Sequence, residues 1–385
     1  MPEIVLFGAS GYTGALTARA MVDRGLAPVL AGRNAATLQA LAARLGGLRV
    51  RVADVADAAS MARLVSAGDV LVSTVGPFAR HGQPALDAAL AARAHYLDST
   101  GEPAFIRRVF EQVQARVAAA GSAPMPAVLP DGLPAAVPAV LPAFLPAFGY
   151  DYVPGNTVGA AALERAGPAA VRLDIGYFAT GGRFAMSQGT AASLAGAMLE
   201  PGLLFNGGRL EAGYAGLRTH GFHVDGRPRT ALSVQGSECI ALPASYPRLR
   251  DVNVYLGWFG ALSSALSLGS RAQVALFRLP GYRRLLASLA GRLQSSGRGP
   301  DERQRAGSGS CIVAVAGDAQ GRPLATATLR GVDGYTYTAR MLAWGAGQAL
   351  GGGLQAGGAL GPVAAFGLPR LIEGNREAGL ELVVD

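Results

Sequence analysis

The feature that constrains this chain most is a turn. A short apolar run, Ile4 to Phe7, leads directly into Gly8, Gly11 and Gly14, and a helix-periodic stretch carrying Leu16, Ala20 and Met21 follows at once. An apolar run of that length suits a central parallel strand covered on both faces. Gly8 permits a tight turn, Gly11 lets the backbone approach a pyrophosphate with no Cβ between them, and Gly14 allows the helix to pack close on the strand. Amides at the helix start, where Ser10, Tyr12 and Thr13 lie, then face an anion. The order of strand, glycine turn and helix therefore predicts a dinucleotide phosphate site.

Alternating segments extend this start into a Rossmann-type, doubly wound α/β sheet. Further apolar strands are expected at Val29–Ala31, Asp69–Thr74 and His95–Asp98, with helices between them. From Pro126 to Pro146 a proline recurs every fourth residue, a density that neither a helix nor a central strand survives, so 121–140 reads as an insertion. Residues 1–154 are expected to form the nucleotide domain and 155–332 a second, α+β domain for substrate or oligomerisation. Residues 333–385 are expected to form C-terminal helices able to return to the first domain. In the second domain, Val171–Thr180 and Arg229–Leu242 read as strands. Cys311–Ala316 and Leu324–Arg330 read as a hairpin, and Gln294–Gly309 as a mobile loop.

Composition excludes several chemistries. Hydrophobic residues make up 50% and charged residues 16%, which describes a globular chain with a large core. The net charge of +8 is spread over scattered arginines, with Arg107-Arg108 and Arg283-Arg284 the densest pairs, and no nucleic-acid motif accompanies them, so no nucleic-acid partner is expected. All 34 basic residues are Arg, which rules out a side-chain Schiff base, a Walker lysine and a Tyr-x-x-x-Lys dyad. Cys239 and Cys311 stand far apart and His220 and His223 have no flanking ligand cluster, so neither disulfides nor a metal site are expected. The chain opens on a strand without a basic leader, and a cytoplasmic location is the expectation. Val252–Ser270 carries no charge but holds Asn253 and several Ser and Gly, which favours a buried strand followed by a helix over membrane contact.

Where an NAD enzyme places Asp or Glu after the second strand, this chain has Ala31, Gly32, Arg33 and Asn34. A carboxylate there would repel a 2′-phosphate, whereas the Arg33 guanidinium can grip one, so NADP is the expected cofactor. Asp54 and Val55 are placed for the adenine edge, and Ser73, Thr74, Val75, Gly76 and Pro77 for the diphosphate and nicotinamide ribose. The crevice beyond the strand ends should contain Gly76–His81, Asp98–Glu102 and Gly149–Asn156. Reduction needs a proton source, and Tyr150, Asp151, Asp98 and His81 are the catalytic candidates, with Tyr152 a further donor. Each also has a structural reading, Asp98 as a loop or helix cap, Asp151 as a turn residue and His81 as a surface residue before a helix, and spacing does not choose among them. Thr100, Tyr152, Asn156, Ser187 and Thr190 are the expected substrate contacts.

The motifs at 8–14, Ala31–Asn34, Ser73–Phe78, His95–Glu102 and Gly149–Pro154 occur in the order found in the saccharopine dehydrogenase-like oxidoreductases, which the chain resembles. That family includes trans-acting enoyl reductases. The second domain resembles it more loosely, through Ser187–Thr190, Tyr255–Trp258 and Val332–Thr336. The resemblance implies an NADPH-dependent reductase acting on a C=C or C=N bond of a mostly apolar small molecule, or of a substrate bound to a carrier protein, in specialised or lipid metabolism. A non-catalytic NADP sensor or scaffold and a membrane-associated member of the family are the alternatives. A homodimer is compatible with the pattern.

Overall fold

The computed structural model describes residues 1–119, 141–181, 201–279, 282 and 299–385. The proline-rich insertion and both Ser187 and Thr190 lie outside them. The first sheet is built from β1 (Ile4–Phe7), β2 (Val29–Gly32), β3 (Val50–Val52), β4 (Val70–Ser73), β5 (His95–Asp98) and β6 (Ala143–Leu145), with a late strand Gly358–Ala359 on its edge. Every pairing is parallel, and from that edge strand the order runs β6, β5, β4, β1, β2, β3. β1 and β4 are buried along their whole length, as strands covered by helices on both faces must be. β6 resumes the sheet between Pro142 and Pro146, which bracket its three residues. The chain order reverses between β1 and β4, and a crevice opens at their carboxyl ends.

Met1–Thr100, Phe105–Val153 and Gly334–Gly379 make up this first unit. The helix Gly334–Leu350 supplies much of its core, burying Tyr337, Met341, Leu342 and Trp344. Trp344 stacks parallel to Phe148 at 6.5 Å and meets Phe366 edge-on at 4.8 Å. Tyr337 donates its hydroxyl proton to Asn375 Oδ1 at 2.7 Å, so the ring is buried without orphaning its polar end.

The second unit comprises Gly101–Ala104, Pro154–Asp333 and Leu380–Asp385. The C-terminal segment thus divides, its helices in the first unit and its last strand, Leu380–Val384, paired in the second sheet. That mixed sheet contains β7 (Arg172–Gly181), β8 (Gly202–Asn206), β9 (Arg209–Gly213), β10 (Thr219–Val224), β11 (Arg227–Val234), β12 (Asp251–Leu256), β13 (Ser308–Gly317) and β14 (Pro323–Val332). β7 lies at its centre, parallel to β12 and antiparallel to β13. One face of β7 sends Leu173, Ile175 and Tyr177 toward the helices Val153–Ala166 and Glu238–Ser245. On the other, Phe178 packs with Phe222, Val224, Ala231, Tyr255, Cys311 and Val313.

Two readings of this half need correction. The strand expected over Arg229–Leu242 ends at Val234, and Glu238–Ser245 is a helix. Its Cys239 and Leu242 are buried, and the apolar run had masked the change of period. The Gln294–Gly309 loop contains a helical turn, Glu302–Ala306, closed by a capping box between Asp301 and Gln304. Val252–Ser270 does form a strand followed by a helix, and no helix among the described residues is long and apolar enough to cross a membrane.

Because Trp344 is 2% exposed and touches two aromatic rings, Trp344→Ala is expected to cost about 3–5 kcal/mol. A shift of the urea midpoint with unchanged slope is the measurement that checks it.

Candidate functional site

The glycine turn is held by geometry that only glycine satisfies. Gly8 has φ +88°, and a Cβ on it would lie 2.8 Å from Thr74 Oγ1; a Cβ on Gly14 would lie 2.1 Å from the Gly8 carbonyl oxygen. The amides of Gly8 and Ala9 both donate to the Ala31 carbonyl, at 2.9 and 3.2 Å, which fastens the turn to β2. Thr74 Oγ1 donates to the carbonyls of Phe7 and Gly8, at 3.2 Å each, which fastens it to β4. Thr74 therefore shapes the turn from behind.

The helix Tyr12–Asp23 starts from an extended Gly11 with no side-chain cap and no acidic residue in its first turn. Its two neighbours differ. Asn34 Oδ1 accepts the Thr37 amide at 3.0 Å, and Asp57 Oδ1 accepts the Ala59 amide at 3.0 Å. The helix that follows the glycines thus keeps the positive end of its dipole for an anion while the other two satisfy theirs internally. This end fits a dinucleotide phosphate.

Around it, Arg33 is exposed directly after β2, with no carboxylate among Ala31–Asn34. Asn34 is committed through its oxygen to the cap. Asp54 turns on itself, its Oδ1 accepting the Ala56 amide at 2.9 Å, while Val55 and Val75 lean on the core. Ser73 is buried beside Tyr96 and Asp98, and burial with the neighbouring Asp98 charge pushes the Tyr96 phenol well above its ordinary range. Gly76 and Pro77 follow, joined by a cis peptide, before the short helix Phe78–His81 that ends on a half-buried His81.

The expected proton donors separate in this structure. Asp98 is fully buried, and its Oδ1 accepts the amides of Thr100 and Ala147 at 2.9 Å each, while its carbonyl accepts the Phe148 amide at 2.7 Å. Asp98 is thus a brace joining the loop after β5 to the loop after β6, and the buried Thr100 is part of that brace. Tyr150 donates its amide to Thr338 Oγ1 at 3.0 Å, and its ring meets Tyr337 edge-on at 6.2 Å. Asp151 follows in the same loop, half-buried, and burial pushes its carboxyl up to about 6. Tyr152 is buried beside it. Asn156 belongs to the second unit, where its Nδ2 donates to Ser237 Oγ at 3.2 Å.

Sequence reasoning passed over Tyr335, Tyr337 and Thr338, which the helix Gly334–Leu350 brings to the first unit. Tyr335 packs edge-on against Tyr12 at 5.1 Å, and Thr338 anchors Tyr150. The alternation of Tyr and Thr after Gly334 was the available signal. In the second unit a buried pair was also missed: Tyr177 accepts the Gly155 amide at 2.9 Å and donates to Glu238 Oε1 at 2.6 Å. No metal-binding group occurs among the described residues.

Known proteins are similar to this chain in part of its sequence and in its fold. Residues 4–125 match the family model of the saccharopine dehydrogenase NADP binding domain. A trans-acting enoyl reductase of Mycobacterium ulcerans is 35% identical over 126 residues, covering 31% of this chain and 30% of that protein. One from Mycobacterium leprae is 32% identical over the same length and shares. The match therefore spans about 30% of the length of these curated relatives. Apo saccharopine dehydrogenase (L-Glu forming) from Saccharomyces cerevisiae aligns over 100% of both chains with a TM-score of 0.60 and 13% identity, a likeness of fold. Residues 4–125 accordingly match a saccharopine dehydrogenase NADP binding domain, and the chain as a whole is similar in fold to that enzyme.

Two outcomes test the site. Gly14→Ala sets a Cβ against backbone and is expected to cost about 1–3 kcal/mol or more in a thermal or urea melt. The Asp151 carboxyl is raised from its ordinary 3.8 to about 6, so the folded state holds a proton that the unfolded state has released between those values. The stability this confers is present at low pH and is lost as pH rises through about 6, and Asp151→Asn is expected to flatten that slope in urea melts on either side of it.

Proposed function

We propose that this chain is an NADPH-dependent reductase acting on a C=C bond, or on a C=N bond, of a mostly apolar or carrier-presented substrate. The observation that carries the reading is the uncapped helix behind the glycine turn, with the exposed Arg33 at the end of β2 and no carboxylate beside it. Backbone amides of the first turn would hold the pyrophosphate, and Arg33 the 2′-phosphate. Bound NADPH supplies a hydride and leaves as NADP. Asp151 is the group of this chain suited to deliver the accompanying proton to the other atom of the double bond. A carboxyl near 6 keeps a usable protonated fraction close to neutral pH.

The second unit favours an apolar substrate. An amino-dicarboxylate would call for several arginines with charge to spare. Arg172 is spent on Asp174, with contacts at 2.9 and 3.3 Å, and Arg218 donates to Asn253, which itself donates to Asp174. Arg209 is exposed on β9, and Arg183 lies outside the described residues. This arrangement favours C=C over C=N reduction. The names of the mycobacterial relatives point the same way.

Fluorescence titration is expected to show NADPH bound in preference to NADH, with Arg33→Ala weakening NADPH by about 10- to 100-fold and Arg33→Asp by more. Failure to bind either nucleotide would overturn the reading. With unsaturated thioesters as substrates, Asp151→Asn is expected to lower kcat by about 10²–10⁴ and to remove the fall in rate as pH rises past about 6. An unchanged pH profile would take the proton donor away from Asp151.

A further inference from the structure

One hydroxyl joins the loop that carries Asp151 to the helix Gly334–Leu350. Thr338 Oγ1 donates to the Gly334 carbonyl at 2.7 Å and accepts the Tyr150 amide at 3.0 Å. The first bond, to the carbonyl four residues back, selects the rotamer of a β-branched side chain. With its proton spent there, the oxygen can offer the loop only a lone pair. The fit is close on both sides. A Cβ on Gly149 would lie 2.8 Å from Thr338 Cγ2, and one on Gly334 would lie 3.0 Å from Tyr150 Cγ, so loop and helix meet where both lack a side chain. Tyr150 and Thr338 are both buried, and the amide finds its acceptor inside the protein.

The same turn is pinned from behind and faces the nucleotide helix in front. Behind, Tyr337 donates to Asn375 Oδ1, and Asn375 Nδ2 donates to the Leu371 carbonyl at 2.7 Å, which ties the turn to the helix Leu368–Ala378. In front, Tyr335 meets the ring of Tyr12, the first residue of the helix after the glycines. Packing alone asks for no hydroxyl at 338, because valine has the same shape. What the hydroxyl adds is a directed tether from a rigid helix to the residue before Asp151. We propose that Thr338 is a positioning residue for the reduction. Resting on the assignment of Asp151 as proton donor, its hydroxyl holds the Tyr150 backbone so that the carboxyl that follows stays half-buried at the site. Burial raises that carboxyl to about 6, with no charged group among the described residues contributing, so a loop released toward water must titrate nearer the ordinary 3.8.

NMR titration of the full chain without nucleotide, isotope-labelled at its aspartate carboxyls, tests this, with the Asp151 signal assigned by its loss in Asp151→Asn. The wild type is expected to titrate near 6, Thr338→Val about one pH unit lower, and Thr338→Ser with the wild type. With NADPH and unsaturated thioesters, Thr338→Val is expected to lower kcat by about 10- to 100-fold, to leave the NADPH Kd unchanged and to move the fall in rate to lower pH. Thr338→Ser is expected to restore both. Should Thr338→Val not fold, Gly149→Ala drives the loop off Thr338 Cγ2 and is expected to give the same signature, which adding Thr338→Ser relieves by removing that methyl. A wild-type titration and kcat in Thr338→Val would overturn the positioning role and leave Asp151 as donor. Loss of stability or of NADPH affinity with the Asp151 titration unmoved would make Thr338 a packing residue and overturn it equally. A pH profile that Asp151→Asn leaves unchanged would overturn the donor assignment, and the positioning of a donor with it.

Discussion

The contact on which the first unit depends is the approach of Gly14 to the Gly8 carbonyl. The space that a Cβ would fill at position 14 is already held by backbone, so the helix cannot be brought to the end of β1 with any larger residue there. Consequences run in both directions from that contact. Toward the core, it lets Ala18 and Met21 bury completely against the sheet. Toward solvent, it aims the first turn of the helix over the crevice, with the dipole end left for a ligand. Thr74 and Ala31 hold the turn from two different strands, so the anion site is a property of the sheet as much as of the loop.

Much of this was legible because parallel strands and glycine turns are local. Ile4–Phe7 announces a strand buried on both faces by its composition, and three glycines at fixed spacing announce the turn. The second unit was less legible, since its strands take their register from distant partners. The β10–β11 hairpin had a readable signal in Asp225-Gly226, both with positive φ, as a two-residue hairpin turn requires. The Arg229–Leu242 error came from a run in which strand and helix are both apolar. What separates them is the turn at Gly236-Ser237 and the placement of Glu238 opposite Tyr177, a partner some sixty residues earlier in the chain. No window of sequence contains that pairing.

The same limit governed the site. Arg33 and the glycines could be proposed from position, because β1 and β2 bound the crevice at the switch in strand order. The proton donor could not, because its assignment depends on environment. Asp98 and Asp151 stand in successive crevice loops as the same residue type, and nothing in their spacing separates them. Thr338, which holds the Tyr150 backbone, comes from a helix almost two hundred residues away.

Folded, the two carboxylates diverge for a physical reason. Asp98 sits at the end of β5 with two amides donating to one oxygen, an arrangement that spends the group on tying two loops together. Protonating it or moving it toward a substrate would orphan those amides inside the protein, so its chemistry is closed by its structural task. Asp151 is half-buried, and burial is the cause of its shift. The brace also reaches the second carboxylate: Asp98 fixes Ala147 and Phe148, and the Ala147 carbonyl accepts the Tyr152 amide at 2.9 Å, so the loop carrying Asp151 is held at both of its ends. One aspartate thus braces the loop in which the other is raised by burial.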